Sequence, residues 1–247
     1  MTNKIIRYPK IILIEPQLGE NIGSSARAML NFGFTDLAIV RPREDWPNKK
    51  AIATSAGALQ DKNFNVKIFN NIKSATKNVS YLLATTARER DINKPVFNII
   101  EAVKILLDHN INSTTGIIFG GEKSGLENKD VVKADAIANI ECNKNFNSIN
   151  LSMSVFSFCY QWFIENNKRD SISYTQSQTR INKIANKSEL NYLLERLVAQ
   201  LDKNKFFVPI DKKDSMIKNI EAIFTRNSLT DQEIKILHGI ISSFIKG

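Results

Sequence analysis

The sequence predicts an α/β fold built on a parallel sheet, with a small all-helical piece at its C-terminal end. Three observations carry this expectation. Short runs rich in β-branched and large apolar residues recur through residues 11–165. Most are near-continuously apolar rather than alternating, as expected of strands buried on both faces of a parallel sheet. Between them lie segments with helical spacing, and strands separated by helices mean βαβ units. Beyond residue 188 the strand signal disappears and only helical patterns remain.

Taken in order, IILIE (11–15), LAIV (37–40), VKIF (66–69), VSYLLAT (79–85), GIIFG (116–120) and AIANI (136–140) read as strands. Helical patterns cover 21–33, 71–77, 97–109, 127–133 and a longer stretch at 150–166. Residues 166–188, NNKRDSISYTQSQTRINKIANKS, are polar with few apolar anchors and read as a linker, partly disordered. Three helices follow at 188–203, 211–225 and 229–245. Ser188 is the candidate N-cap of the first, although Glu189 comes one place after it rather than three. Thr230 followed by Glu233 has the capping-box spacing for the last. The expected division is an α/β domain over 1–165, a linker over 166–187 and a helical extension over 188–247, with no internal repeat.

At 247 residues, 43% hydrophobic and 24% charged, the chain can bury a sizeable core, which excludes collagen-like, low-complexity and wholly disordered classes. No apolar run approaches the roughly 18 residues that a membrane span needs. The opening MTNKIIRYPKIILIE has too short an apolar stretch and no small-residue cleavage site, so no signal peptide is expected. Cys142, Cys159, His109 and His238 make neither a disulfide framework nor a recognisable zinc site, so no metal is expected. A reducing, cytoplasmic location is the default. The net charge of +9 favours an anionic partner. Residues 1–165 hold 20 basic against 16 acidic side chains, and residues 166–247 hold 14 against 9. The tail is thus the more basic piece per residue, although solvated lysines would give the same count.

Several familiar signatures are missing. No G-x-G-x-x-G follows the first strand, so a dinucleotide site loses its fingerprint. GIIFGGEKSG (116–125) superficially resembles a phosphate loop, but Glu122 follows Gly121 where lysine is required, and a carboxylate there repels phosphate. There is no G-x-S-x-G elbow, and neither histidine lies beside a plausible nucleophile. Hydrolase and NTPase readings drop out.

Three segments remain, each at the C-terminal end of an expected strand, where open α/β sheets bind ligands. In EPQLGENIGSSARAMLNFG (15–33) a turn leads into a helix that opens with Gly23, Ser24, Ser25 and Ala26, small residues that admit close approach of a ligand or another backbone. Asn21 and Arg27 are its polar candidates; for an isolated arginine, a solvated surface role is the more common one. IIFGGEKSGL (117–126) ends a strand in paired glycines and Glu122, which suits either an exposed backbone edge or a plain turn. NFNSINLSMSVFSFCYQWF (145–163) runs from a polar loop into an apolar helix, with Ser148 and Asn150 at its mouth as ligands or as simple N-caps.

In this order and spacing, ENIGSSARAMLNFG, IIFGGEKSGL and NSINLSMSV resemble motifs 1, 2 and 3 of the SPOUT superfamily, and more narrowly the TrmH-type RNA ribose 2′-O-methyltransferases. The tail IEAIFTRNSLTDQEIKILHGIISSF (220–244) is similar to the C-terminal helical segment of the TrmJ group. The resemblance spans nearly the whole chain and is weakest over 166–210. It implies an α/β sheet with a deep trefoil knot, which runs against the un-knotted prior, and a homodimer whose active site is shared between subunits. It also implies S-adenosylmethionine as cofactor and methylation of the ribose at nucleotide 32 (C or U) of the tRNA anticodon loop. A methyltransferase of ribosomal RNA and a SPOUT protein that binds RNA without catalysis remain the alternatives.

Carried onto this chain, the resemblance implies a cofactor site of Thr85, Thr86, Ala87, Gly120, Ile140, Ser148, Ile149 and Asn150. It makes Arg27 and Asn21 catalytic or RNA-positioning, supported by Glu122 and by Ser148 or Asn150. Ser152 and Ser154 stand where family members often carry alanine, a departure that keeps the residues small. Arg27 is often cast as a general base in the family. A guanidinium with a pKa above about 12 suits that role poorly and suits a bidentate grip on phosphate better. For RNA docking by the basic tail, Arg180, Lys183, Lys187, Lys212, Lys213, Lys218 and Arg226 are the candidates, with Tyr174 as a possible base stacker.

Overall fold

The computed structural model describes residues 7–88, 92–109, 113–170, 184–226 and 228–246. Seven strands form one sheet: β1 (Lys10–Ile14), β2 (Asp36–Val40), β3 (Asn65–Phe69), β4 (Tyr81–Thr85), β5 (Val96–Asn98), β6 (Thr115–Gly120) and β7 (Ala136–Asn139). Their order is β3-β2-β1-β6-β4-β7-β5, and every pairing is parallel. The helices are α1 (Gly19–Asn31), α2 (Lys49–Thr54), α3 (Ile72–Ala75), α4 (Ile99–His109), α5 (Asn128–Val131), α6 (Leu151–Asp170), α7 (Lys187–Lys203), α8 (Lys213–Thr225) and α9 (Asp231–Lys246).

Strand alternation divides the core between the two faces of the sheet. Ile11, Leu13, Leu37, Ile39, Leu83, Ile117 and Phe119 point to one side and meet Ile22, Ala26 and Met29 of α1, Leu106 of α4, and Val155, Phe158 and Trp162 of α6. Ile12, Ile14, Ala38, Val40, Leu82, Ala84 and Ile118 point to the other, against Ile72 and Ala75 of α3 and Val131 of α5. Both faces are covered, which is why the central strands read as unbroken apolar runs. β3 departs from that expectation: it lies at the sheet edge and carries no fully buried residue.

Two elements escaped the sequence reading. β5 is three residues long, and its Val96 and Phe97 merge into the apolar pattern of α4. The boundary between them is set by reciprocal bonds: the Glu101 amide donates to Asn98 Oδ1 (2.9 Å), and the Asn98 amide donates to Glu101 Oε2 (3.0 Å). Helix α2 buries only Ala51, too little for a periodic signal, and is started by Asn48, whose side chain accepts from the amides of Lys50 and Ala51.

The extension has its own small core, in which Leu190, Leu193 and Leu194 of α7 meet Ile234 and Ile241 of α9. The cap of α7 is Asn186, not Ser188: Asn186 and Glu189 form the capping box, because Glu189 stands three places after Asn186. Thr230 and Glu233 cap α9 as the spacing predicts, with the Thr230 amide 2.7 Å from Glu233 Oε2 and the Glu233 amide 3.2 Å from Thr230 Oγ1. Residues 166–170, expected in the linker, continue α6. Tyr174, Arg180 and Lys183 lie outside the described residues.

Candidate functional site

The C-terminal ends of β4, β6 and β7 open into one cleft of about 270 Å³. Three segments far apart in sequence line it: Thr85–Arg88 after β4, Gly120–Lys123 with Gly125 and Leu126 after β6, and Ile140 with Asn147–Ile149 after β7. Thr85, Thr86, Ala87, Gly120, Ile140, Ser148 and Ile149 are all among the lining residues, so seven of the eight expected cofactor residues meet there. Arg88, Phe119, Gly121, Lys123, Gly125, Leu126, Ala138, Asn147, Leu151 and Ser154 also line it, and the sequence reading gave none of them a site role. Most are small or apolar side chains of ordinary type, and Arg88, Lys123 and Asn147 look like any exposed polar residue of a loop, so nothing singled them out.

Local packing explains the glycines. A Cβ at Gly120 would stand 2.1 Å from the Gly125 carbonyl carbon and 2.2 Å from the Leu126 nitrogen. Glycine there lets the loop fold back over its own strand, held by the Gly125 amide on the Gly121 carbonyl at 2.9 Å. The small opening of α1 has a similar cause. A Cβ at Gly23 would lie 2.1 Å from the Ala51 carbonyl oxygen, so the close neighbour is the backbone of α2 rather than a ligand.

Asn150, the eighth expected cofactor residue, does not line the cleft. Its Oδ1 accepts from the Ser152 amide (2.9 Å) and the Ser152 hydroxyl (2.7 Å), which caps α6, and its Nδ2 donates to Asn21 Oδ1 at 3.0 Å. Asn21 is buried and donates in turn to Glu122 Oε1 at 2.7 Å. Glu122 also accepts from the amides of Gln17 (2.7 Å) and Leu18 (3.2 Å). The relay Asn150–Asn21–Glu122 therefore ties the starts of α6 and α1 to the loop after β6. With three donors on its carboxylate, Glu122 serves to position the loops, and the charge that repels phosphate in a P-loop here satisfies amides at the start of a helix.

Arg27 stands apart from the cleft. It lies six residues beyond Asn21 on α1, about 9 Å along the axis and pointing to a different side. It is exposed, and its side chain has no hydrogen bond or ion pair among the described residues. Nearby elements present an apolar surface: Met153, Phe156, Tyr160 and Phe163 of α6 are 60%, 42%, 46% and 39% exposed at helical i, i+3, i+7, i+10 spacing. Phe32, just after α1, packs its ring against Phe156, Tyr160 and Phe163.

The RNA candidates of the extension fall into different environments. Lys212, Lys218 and Arg226 are exposed. Lys213 is half-buried and paired with Asp202 at 2.6 Å. Lys187 contradicts its expected role: its ammonium is buried and contacts both oxygens of buried Asp135 at 2.6 Å. A cation so placed holds α7 against the α/β domain and cannot reach a phosphate. Close by, the buried Lys94 ammonium donates to the Ala134 carbonyl (2.5 Å) and to Thr225 Oγ1 of α8 (2.6 Å), and burial lowers its pKa to about 8. Among the described residues there is no cluster able to hold a metal ion and no helix long and apolar enough to cross a membrane.

The SpoU rRNA Methylase family model matches residues 9–160, from the first strand to the middle of α6. The chain belongs to this family. A relative from Pseudomonas aeruginosa, named tRNA (cytidine/uridine/adenosine-2′-O-)-methyltransferase TrmJ, is 27% identical over 94% of this chain and 92% of its own. The crystal structure of TrmJ from Z. mobilis ZM4 superposes with a TM-score of 0.85 at 34% identity, covering 96% of this chain and 99% of that one. More distantly, the SpoU methyltransferase AviRb from Streptomyces viridochromogenes, solved with AdoMet, shares the fold, with a TM-score of 0.53 and 17% identity over 68% of this chain and 62% of that one.

Proposed function

We propose that this protein is a tRNA ribose 2′-O-methyltransferase that takes its methyl group from S-adenosylmethionine and acts on the nucleotide at position 32 of the anticodon loop. The observation that carries this reading is the convergence of the second and third motif segments and of Thr85–Ala87 on one cleft at the ends of β4, β6 and β7, to which Asn21 of the first motif is tied through Glu122, in a chain of the SpoU family. The family description names ribosomal RNA. Similarity to tRNA-modifying relatives that runs through the helical extension as well favours tRNA. A cytoplasmic location and a chain threaded as a trefoil knot belong to the same reading.

The lining suits the cofactor. Phe119, Leu126, Ala138, Ile140, Ile149 and Leu151 give an apolar wall for a flat base, and Thr85, Thr86, Asn147 and Ser148 give polar atoms for a ribose and an amino-acid end. When bound, S-adenosylmethionine supplies an electrophilic methyl on a positively charged sulfur. The reaction dissipates that charge, so a wall with few charged side chains favours it. Holding the acceptor hydroxyl in line can supply several of the roughly 7–11 kcal/mol available from orientation. Glu122, Asn21 and Asn150 do this indirectly, by fixing the loops that form the cleft.

Arg27 requires a second copy of the chain. Outside its own cleft, free of partners among the described residues and on the helix after which Phe32 packs against the exposed stripe of α6, it serves in this reading the cleft of a partner subunit. Burying Met153, Phe156, Tyr160 and Phe163 in a homodimer removes an apolar patch from water and completes the site. There the guanidinium grips a phosphate of the substrate bidentately and stabilises the developing alkoxide, while phosphate or water takes the proton.

The test is transfer of labelled methyl to total tRNA, followed by nuclease digestion and mass spectrometry. A 2′-O-methylated nucleotide at position 32 that disappears in Arg27→Ala is the expected result. Arg27→Lys is expected to lose most turnover, because an ammonium lacks the fork. Methylation of a base, or of ribosomal RNA alone, would overturn the reading.

A further inference from the structure

The loop between β7 and α6 carries a feature that neither cofactor binding nor core packing uses. Residues 141–148 are all exposed, and Phe146 stands out among them at 77% exposure. Single exposed apolar residues are common and need no special cause. Phe146 differs in three respects. Its position is built: the Phe146 amide donates to the Asn143 carbonyl (2.9 Å) and the Asn145 amide to Asn143 Oδ1 (3.0 Å), a tight turn that holds the ring out in water. It has no ring partner among the described residues, whereas Phe32, Phe156 and Tyr160 pack on one another. It also directly precedes Asn147 and Ser148, which line the cleft that Phe146 itself does not line, so it occupies the rim.

Cations surround that rim. Arg88 and Lys123 line the cleft from the loops after β4 and β6, and Lys144 shares the turn with Phe146. All three are exposed, and none of their side chains forms an ion pair or hydrogen bond among the described residues. Glu141 is the one carboxylate in the segment 141–150. An uncommitted aromatic face flanked by uncommitted cations matches an unpaired nucleotide, with a flat base to stack and phosphates on either side.

We infer that Phe146 is a stacking platform for a base next to the methylated nucleotide, with Arg88, Lys123 and Lys144 holding the flanking phosphates. This rests on the proposed RNA methyl transfer and adds to it the group that fixes the acceptor strand. Because every base has a π-face, the platform selects an unpaired loop over a duplex and tolerates different bases at the stacked position.

The test uses the full-length protein and an unmodified tRNA transcript, with equilibrium binding, steady-state methyl transfer and cofactor binding measured separately. Phe146→Ala is expected to weaken tRNA binding and raise the tRNA KM by roughly 5- to 150-fold, the range for a lost base–aromatic stack, with cofactor affinity unchanged. Phe146→Trp is expected to retain binding and to show indole fluorescence that tRNA quenches beyond any change in the parent protein. Lys144→Ala and Lys123→Ala are each expected to lower the slope of log K against log salt by about one unit. Unchanged tRNA affinity in Phe146→Ala, or no added quenching in Phe146→Trp, overturns the platform even where methyl transfer is intact. If the parent binds tRNA without methylating ribose, the reaction fails while the binding arms still judge the platform. If a protein rather than RNA protects Phe146, or the parent does not bind tRNA at all, the platform is overturned.

Discussion

Replacing Lys187 with alanine separates two roles for one residue, because a phosphate contact and a buried ion pair fail in different assays. The Lys187 and Asp135 side chains are 5% and 3% exposed, and the ammonium meets both carboxylate oxygens at 2.6 Å. Removing the ammonium leaves the Asp135 carboxylate in the interior with one remaining donor, the Leu82 amide at 2.6 Å. Breaking a buried pair from one side costs about 3–5 kcal/mol. For a chain of this size each kcal/mol moves the melting temperature by about 2–4 °C, so Lys187→Ala is expected to melt roughly 6–20 °C lower. The double variant Asp135→Asn, Lys187→Met removes both charges and keeps an acceptor for Leu82, and is expected to recover most of that loss. Circular dichroism during thermal and urea unfolding reads both. A Lys187→Ala protein within about 1 kcal/mol of the parent in stability, with a salt slope for tRNA binding lower by about one unit, would refute the reasoning and restore the phosphate role.

Two further outcomes concern the same docking interface and the helix that carries Asn21. Lys94 has its pKa lowered to about 8 by burial, so the folded state binds fewer protons than the unfolded chain between pH 8 and the ordinary lysine value of about 10.4. Stability from this group is therefore gained as pH rises through that window and lost as pH falls through 8; urea midpoints should show the rise in the parent and not in Lys94→Met. Burial raises the pKa of the Tyr81 phenol, which opposes the gain above about pH 10, so the clean window is pH 8–10. Gly23→Ala places a methyl 2.1 Å from the Ala51 carbonyl oxygen and 2.2 Å from Thr54 Oγ1. It is expected to cost about 1–3 kcal/mol by forcing α1 and α2 apart, measured by urea unfolding, and to lower methyl transfer by moving Asn21.

Fold class, the six longer strands and the three helices of the extension are legible because each depends on local chemistry. Doubly buried parallel strands must be apolar throughout, and a capping box must have its two partners three residues apart. Seven of the residues that line the cleft were reached by another route: the glycines of 120–121 and the Ser148–Asn150 segment carry a family resemblance, and that resemblance implies Thr85–Ala87 beside them. What sequence could not supply is contact. Asn150 reads as a ligand by its place in the motif, yet its side chain caps α6 and leads to Asn21.

By itself, then, the sequence determined the layered α/β architecture, the helical extension, the basic character of the chain and the residue types gathered in its motifs, since each follows from composition and short-range spacing. Tertiary structure alone decided which cations are free. Lys187 and Lys212 are the same residue type in the same basic tail, but one is buried against Asp135 and the other faces water. It likewise decided that Arg27 lies outside its own cleft and that Phe146 stands at the rim. A charge has one meaning in water and another in a low-dielectric interior, and only the folded chain assigns each side chain to one or the other.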